Sequence, residues 1–250
     1  MDSGVMPKLV YSDPPTYGKY SQYRSYLRTV SNYSCTYCTI SESESPGATF
    51  NIDHFRPQEK FPLLNAKCEN LRYACPRCNS YKRNNWIEES QGCIRSCEVC
   101  TNKVCGKNIP RFIDSLNEEP NKHLFLDEDD LLQANDGSKP AEYTIKFLRL
   151  NRAQLVKLRH VRRFMDSWLN ELKAKKEQAE NRLKELTLRK TELVLIMEKY
   201  NSGNSEEYCA MLETLHEIMV THAEQAILFI DEEIKRLERL MQLRCGTDEQ

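Results

Sequence analysis

Along the last third of the chain, apolar residues return every three or four positions. From Met165, the positions Leu169, Leu172, Lys176, Ala179, Leu183, Leu186, Lys190, Leu193, Met197 and Tyr200 form a seam interrupted by two lysines. Spacing of this kind predicts a long helix with a coiled-coil edge. Asn201-Ser202-Gly203-Asn204-Ser205 breaks it, and Ser205 followed by Glu206 and Glu207 reads as a new N-cap with an acidic first turn. Leu212, Leu215, Met219, Ala223, Ile227, Ile230, Ile234, Leu237 and Met241 continue the pattern. Two long helices around a short break predict an antiparallel coiled-coil hairpin over 165–250. Trp168, Leu195, Ile196, Ile218 and Leu228 fall off the seam. They are expected to leave an apolar surface on the hairpin, which makes it an interaction arm.

Upstream the pattern changes several times. In residues 1–34, Tyr17, Tyr20, Tyr23, Leu27 and Val30 recur at helical spacing and predict a short amphipathic helix whose stripe is core. Residues 35–86 read as short strands and turns, with Ser45-Pro46-Gly47 as a turn and a helix from about Cys75. A cysteine-rich segment occupies 87–110. The tract 111–164, with Pro110 before it and Pro120, Asp136-Gly137 and Pro140 within it, reads as loop that turns helical after Pro140 and stays so. The fold class expected is α+β, a small compact module followed by a mostly helical C-terminal region.

Composition narrows the chemistry. No stretch approaches the ~20 apolar residues that span a bilayer, and the N-terminus lacks the layout of a secretion signal. The expected location is cytoplasmic, with no membrane partner. In a reducing compartment, 11 cysteines in 250 residues point to thiolate metal sites rather than disulfides. Formal net charge is only -1, so affinity for a polyanion must come from local segregation. Residues 51–85 supply it, with Arg56, Lys60, Lys67, Arg72, Arg77, Lys82 and Arg83 against Asp53, Glu59 and Glu69. Arg149, Arg152, Lys157, Arg159, Arg162 and Arg163 form a second basic tract, while acids gather at Glu118, Glu119 and 127–130.

Cys35-Thr-Tyr-Cys38 and Cys75-Pro-Arg-Cys78 are two C-x2-C pairs, each able to offer two thiolates to one tetrahedral zinc. The residues between them exceed the roughly 15 to 20 of a zinc ribbon, and they include Asp53-His54. The order Cys35-x2-Cys38, Asp53-His54-Phe55-Arg56-Pro57, Asn70-Leu71, Cys75-x2-Cys78-Asn79-x2-Lys82 resembles the HNH endonuclease family. That resemblance implies a zinc-stabilised ββα-metal nuclease core over 35–86. It further implies Asp53 and Asn79 as ligands of a catalytic Mg²⁺ or Mn²⁺, His54 as general base, and Asn70 as the residue that fixes the loop orienting His54. The residue types suit the reaction. Phosphodiester hydrolysis needs an activated water and a cation at the phosphate, hard oxygen donors hold such a cation, and imidazole titrates near neutrality. Arg56, Lys82 and Arg83 are the expected nucleic-acid contacts. Cys93, Cys97, Cys100 and Cys105 form a further cluster suited to a second structural zinc, with Cys68 as a substitute ligand.

A looser likeness follows the core. Ile113-Asp114, Pro120-Asn121-Lys122-His123-Leu124 and Tyr143-Thr144-Ile145-Lys146-Phe147-Leu148-Arg149-Leu150-Asn151-Arg152, then Leu155 and Arg159, resemble a bacterial HNH family. Its members include PtuB, the nuclease subunit of Septu and retron-linked anti-phage systems. This implies an effector nuclease acting on DNA in preference to RNA, with self-association or an ATPase partner at the coiled coil. Two other readings compete: a non-catalytic zinc module that binds nucleic acid, and a coiled-coil assembly protein with a vestigial nuclease. The cysteine spacing carries its own test. Purified protein should hold about two zinc ions per chain, falling to about one in the Cys97→Ser, Cys100→Ser double variant. Elemental analysis showing one zinc in both proteins removes the second site.

Overall fold

The computed structural model describes residues 5–86, 108–200 and 206–245. Among them the chain is α+β and mostly helical, with two small antiparallel sheets. The expectations for Cys93, Cys97, Cys100 and Cys105, and for the helix break at 201–205, lie outside the described residues. The chain divides into two compact units, the described residues up to Arg163 and the segment Phe164–Met241.

In the first unit a 3-10 turn, Tyr20–Tyr23, leads into helix α1 (Arg24–Val30). Tyr23 and Leu27 are buried, whereas Tyr17 and Tyr20 stay exposed. The tyrosine stripe is therefore only half core. Strand β1 (Asn51–His54) pairs antiparallel with β2 (Leu71–Ala74), placing Asp53 opposite Arg72 and His54 opposite Leu71. Helix α2 (Pro76–Lys82) starts at once, with Pro76 at its first position and Cys75 as its cap, Sγ accepting from the Cys78 N–H at 3.4 Å. A hairpin of four-residue strands is marginal by itself. It persists by burying Leu71 and Ala74 in a core with Leu27, Tyr37, Phe50, Ile113, Leu148 and Leu155.

The tract after residue 110 corrects the loop expectation. Strands β3 (Leu124–Leu126) and β4 (Leu132–Ala134) make a second hairpin. Its turn is closed by Asp127, whose Oδ1 accepts from the Asp129 and Leu131 N–H groups. Asp130 adopts φ 62 there and is almost wholly buried, its carboxylate held by His160 and Arg163. The acidic run thus builds a turn. Helix α3 (Lys139–Phe147) is capped by Ser138, and the chain then breaks at 148–152, with Arg149 at φ 48, before α4 (Ala153–Tyr200). Asn151 explains the break: its amide accepts from the Leu132 N–H and donates to the Leu132 carbonyl, both at 2.8 Å.

In the second unit the rest of α4 runs antiparallel to α5 (Glu206–Cys245). Leu169 and Leu172 pack against Ile234 and Leu237, and Lys173–Glu238 and Lys176–Asp231 pair at 3.0 and 2.7 Å. The seam differs from the expected one near its far end. Leu215 and Met219 are exposed, and His216 is buried instead, donating from Nε2 to the Leu186 carbonyl.

Arg72 ties the first hairpin to the following tract. Its guanidinium is fully buried, lies 2.6 Å from Asp114, donates to the Glu69 and Leu71 carbonyls, and stacks over Phe55. Removing one partner of such a pair leaves an uncompensated buried charge. Asp114→Ala should therefore lower unfolding free energy by about 3–5 kcal/mol in urea titrations. A loss no larger than that of a surface substitution overturns this role.

Candidate active site

Two C-x2-C turns meet at the base of the hairpin. Cys35, Cys38, Cys75 and Cys78 are all buried, and their sulfurs lie within 4.8 Å of one another. Four convergent thiols with no disulfide among them fit the donor set of a structural zinc. Arg152, just before α4, reaches this cluster, with Nη2 3.5 Å from Cys38 Sγ and 3.9 Å from Cys78 Sγ. A cation donating to the sulfurs offsets the negative charge that four thiolates would gather around one zinc. Cys68 stands apart from the cluster, and burial pushes its thiol up to about 11, so it is a neutral side chain.

On the other side of β1 and α2 lies a cleft of about 880 Å³ lined by Asp53, His54, Glu59, Asn79 and Arg83, among others. Backbone geometry brings them there. Asp53 and His54 are adjacent on β1, and Asn79 follows Cys78 on α2, the helix packed against that strand. His54 Nε2 lies 3.0 Å from the Asn65 carbonyl, which can only accept, so Nε2 carries the proton and Nδ1 the lone pair. The Tyr20 ring meets the imidazole edge-on at 4.9 Å between centroids. Asn70 is buried and accepts from the Arg56 N–H while donating to the Arg56 and Leu64 carbonyls. It thereby clamps both ends of the loop that leads to Asn65.

Asp53 is held from within. Tyr37, inside the first C-x2-C turn, donates its hydroxyl to Asp53 Oδ2 at 2.5 Å. Burial, aided by the adjacent carboxylate, raises the Tyr37 phenol well above its ordinary range, so it stays protonated and remains a donor. Lys82 Nζ sits 3.2 and 3.1 Å from the two Asp53 oxygens and 2.7 Å from the His54 carbonyl.

Residues 35–85 match the family model for the HNH endonuclease. The chain resembles HNH nucleases of the PtuB kind. Over 151 residues it is 24% identical to the Septu protein PtuB of Bacillus mycoides (strain KBAB4), covering 54% of this chain and 49% of that protein. It therefore spans about half the length of the curated relative it matches. No solved structure matches significantly.

Within this HNH segment the expected residues separate into two groups. Asp53, His54, Asn79 and Arg83 share the cleft. Arg56 and Lys82 do not present themselves as surface contacts. Lys82 is wholly buried on Asp53, and Arg56 is buried with its guanidinium over the rings of Phe61 and Trp86, each at 5.4 Å. A phosphate reaches either only if those contacts open. Tyr37, Tyr20, Asn65 and Arg152 were not foreseen. Tyr37 had a signal in its place between two cysteines of one C-x2-C pair, and Arg152 in the basic tract that contains it.

If the thiol cluster holds zinc, the hairpin depends on that metal. A chelator strong enough to strip zinc should abolish cooperative unfolding of the first unit, because the turns that cap β1–β2 lose their common ligand. Circular dichroism melts before and after stripping check this; an unchanged transition in metal-free protein overturns it.

Proposed function

We propose that this chain is a metal-dependent HNH endonuclease that hydrolyses phosphodiester bonds, with DNA as the favoured substrate. The observation that carries the reading is the shared cleft of Asp53, His54 and Asn79 beside a four-cysteine cluster. Asp53 and Asn79 offer hard oxygen donors, which fit Mg²⁺ or Mn²⁺. When bound, that ion supplies charge stabilisation at the phosphate and leaving oxygen. The rest is done by the chain itself. His54 takes a proton from water at Nδ1, the nitrogen left bare by the Asn65 contact, and the water oxygen attacks phosphorus as the P–O bond opposite breaks. Asn70 acts at one remove by fixing the loop that carries the Asn65 carbonyl. Arg83, exposed at the cleft edge, is the phosphate contact.

The likeness to a Septu PtuB protein supports a role in anti-phage defence as the effector nuclease, acting in the cytoplasm. No helix among the described residues is long and apolar enough to cross a membrane. We read the second unit as a coiled-coil hairpin and an interaction arm. Trp168, Leu195, Ile196, Ile218 and Leu228 are exposed on it, giving a surface for a second copy of the chain or for a partner ATPase.

The test is direct. His54→Ala should lose cleavage of plasmid DNA by at least about 10²-fold while keeping its zinc content and its melting transition, since the base acts only in the chemical step. Cleavage at the wild-type rate overturns the assignment.

A further inference from the structure

The acidic ligand expected to attract a divalent cation is already neutralised inside the protein. Lys82 has no exposed surface, and its ammonium has three N–H donors facing the two Asp53 oxygens and the His54 carbonyl. Tyr37 adds a further donor to the same carboxylate. Asn79 brings no charge. The remaining ions on the cleft are Glu59, whose Oε2 accepts from Asn84 Nδ2 at 2.7 Å, and Arg83. Among the described residues lining or backing this cleft, two carboxylates thus meet two cations. A dication arriving from water would give up part of a strong hydration shell for one hydrogen-bonded carboxylate and one amide, with no net negative field to repay it.

A phosphodiester changes that balance. Its charge enters the cleft from the solvent side, where Arg83 lies, and it adds an unencumbered oxygen ligand beside Asp53 and Asn79. We infer that Lys82 is a built-in counter-cation that keeps the metal site weak in the free protein, so that the metal site is completed only when nucleic acid is bound. This inference rests on the reading of Asp53 and Asn79 as metal ligands. Functionally, Lys82 makes it a positioning and gating residue: it holds the carboxylate rotamer and prevents a loaded, hydrolytically competent centre from standing ready without substrate.

The experiment measures Mn²⁺ binding, with no turnover involved. Zinc-loaded His54→Ala protein, which cannot cleave, is titrated with Mn²⁺ and free ion is followed by electron paramagnetic resonance. Titrations run with and without a duplex DNA oligonucleotide, against the oligonucleotide alone. We expect binding about tenfold tighter in the complex than in free protein, and the gap to shrink when Lys82→Met is added, because free protein then binds Mn²⁺ about tenfold more tightly. Equal affinity with and without DNA overturns the inference even if Lys82→Met fails to fold. So does a folded Lys82→Met protein whose affinity is unchanged. Asn79→Ala separates the two layers: if it binds Mn²⁺ as tightly as its parent in both states, the metal-site reading itself is wrong, whereas weakened binding with no DNA dependence leaves that reading standing and removes only the gating role of Lys82.

Discussion

Everything in the first unit depends on two tight cysteine turns converging on one point. The first, Cys35 to Cys38, precedes the hairpin and the second, Cys75 to Cys78, caps the helix after it. Four-residue strands bury too little to outweigh their ordering entropy, so the hairpin's geometry is set from outside, by its attachments. Joining those turns through a common ligand fixes where β1 ends relative to where α2 begins. That relation places Asp53 and His54 from a strand against Asn79 from a helix. A thiol cluster and a polar cleft need not be neighbours in principle. Here Cys78 belongs to the cluster and Asn79, the next residue, lines the cleft, so any slackness in the cluster passes directly to the cleft.

The second constraint is electrostatic. Arg72, Lys82, Asp53 and Asp114 are all buried, and each ion is matched by an opposite one within 3.2 Å. Burying such pairs gains little stability over apolar packing, so their presence points to specificity of arrangement. Asp53 sits opposite Arg72 across the sheet, yet it pairs with Lys82 from the helix, while Arg72 turns to Asp114. The two cations thus serve different carboxylates: Lys82 holds the one that lines the cleft and Arg72 the one on the tract after residue 110.

How much of this was legible in the sequence follows from range. The two C-x2-C pairs, the Asp53-His54 dipeptide and Asn79 after the second pair are short motifs in a fixed order, and that order, with the family resemblance it carries, located them. The β3–β4 hairpin was missed because its strands are three residues each and its turn is made by Asp127 and Asp130, which read as solvated charge. The break before α4 was missed because Asn151 acts through Leu132, far away in sequence. Lys82 illustrates the hardest case. A lysine three residues after Asn79 suggests a phosphate contact, and only the burial of its ammonium shows that its partner is the Asp53 carboxylate.

The helical pair of the second unit shows the same limit in a simpler setting. Counting apolar residues put Leu215 and Met219 on the inner edge, since both are hydrophobic and correctly spaced. The structure turns α5 by one position there, exposing both and burying His216. The physical reason is the Leu186 carbonyl: a helix carbonyl already bonded within its helix has a second lone pair, and an imidazole N–H reaching it satisfies the one polar group that would otherwise be stranded. At the other end Lys176 occupies a seam position without cost because Asp231 meets it from α5. Two polar contacts at separate points of an apolar seam add to the register set by the leucines, because a slip of one turn would separate Lys176 from Asp231 and His216 from the Leu186 carbonyl.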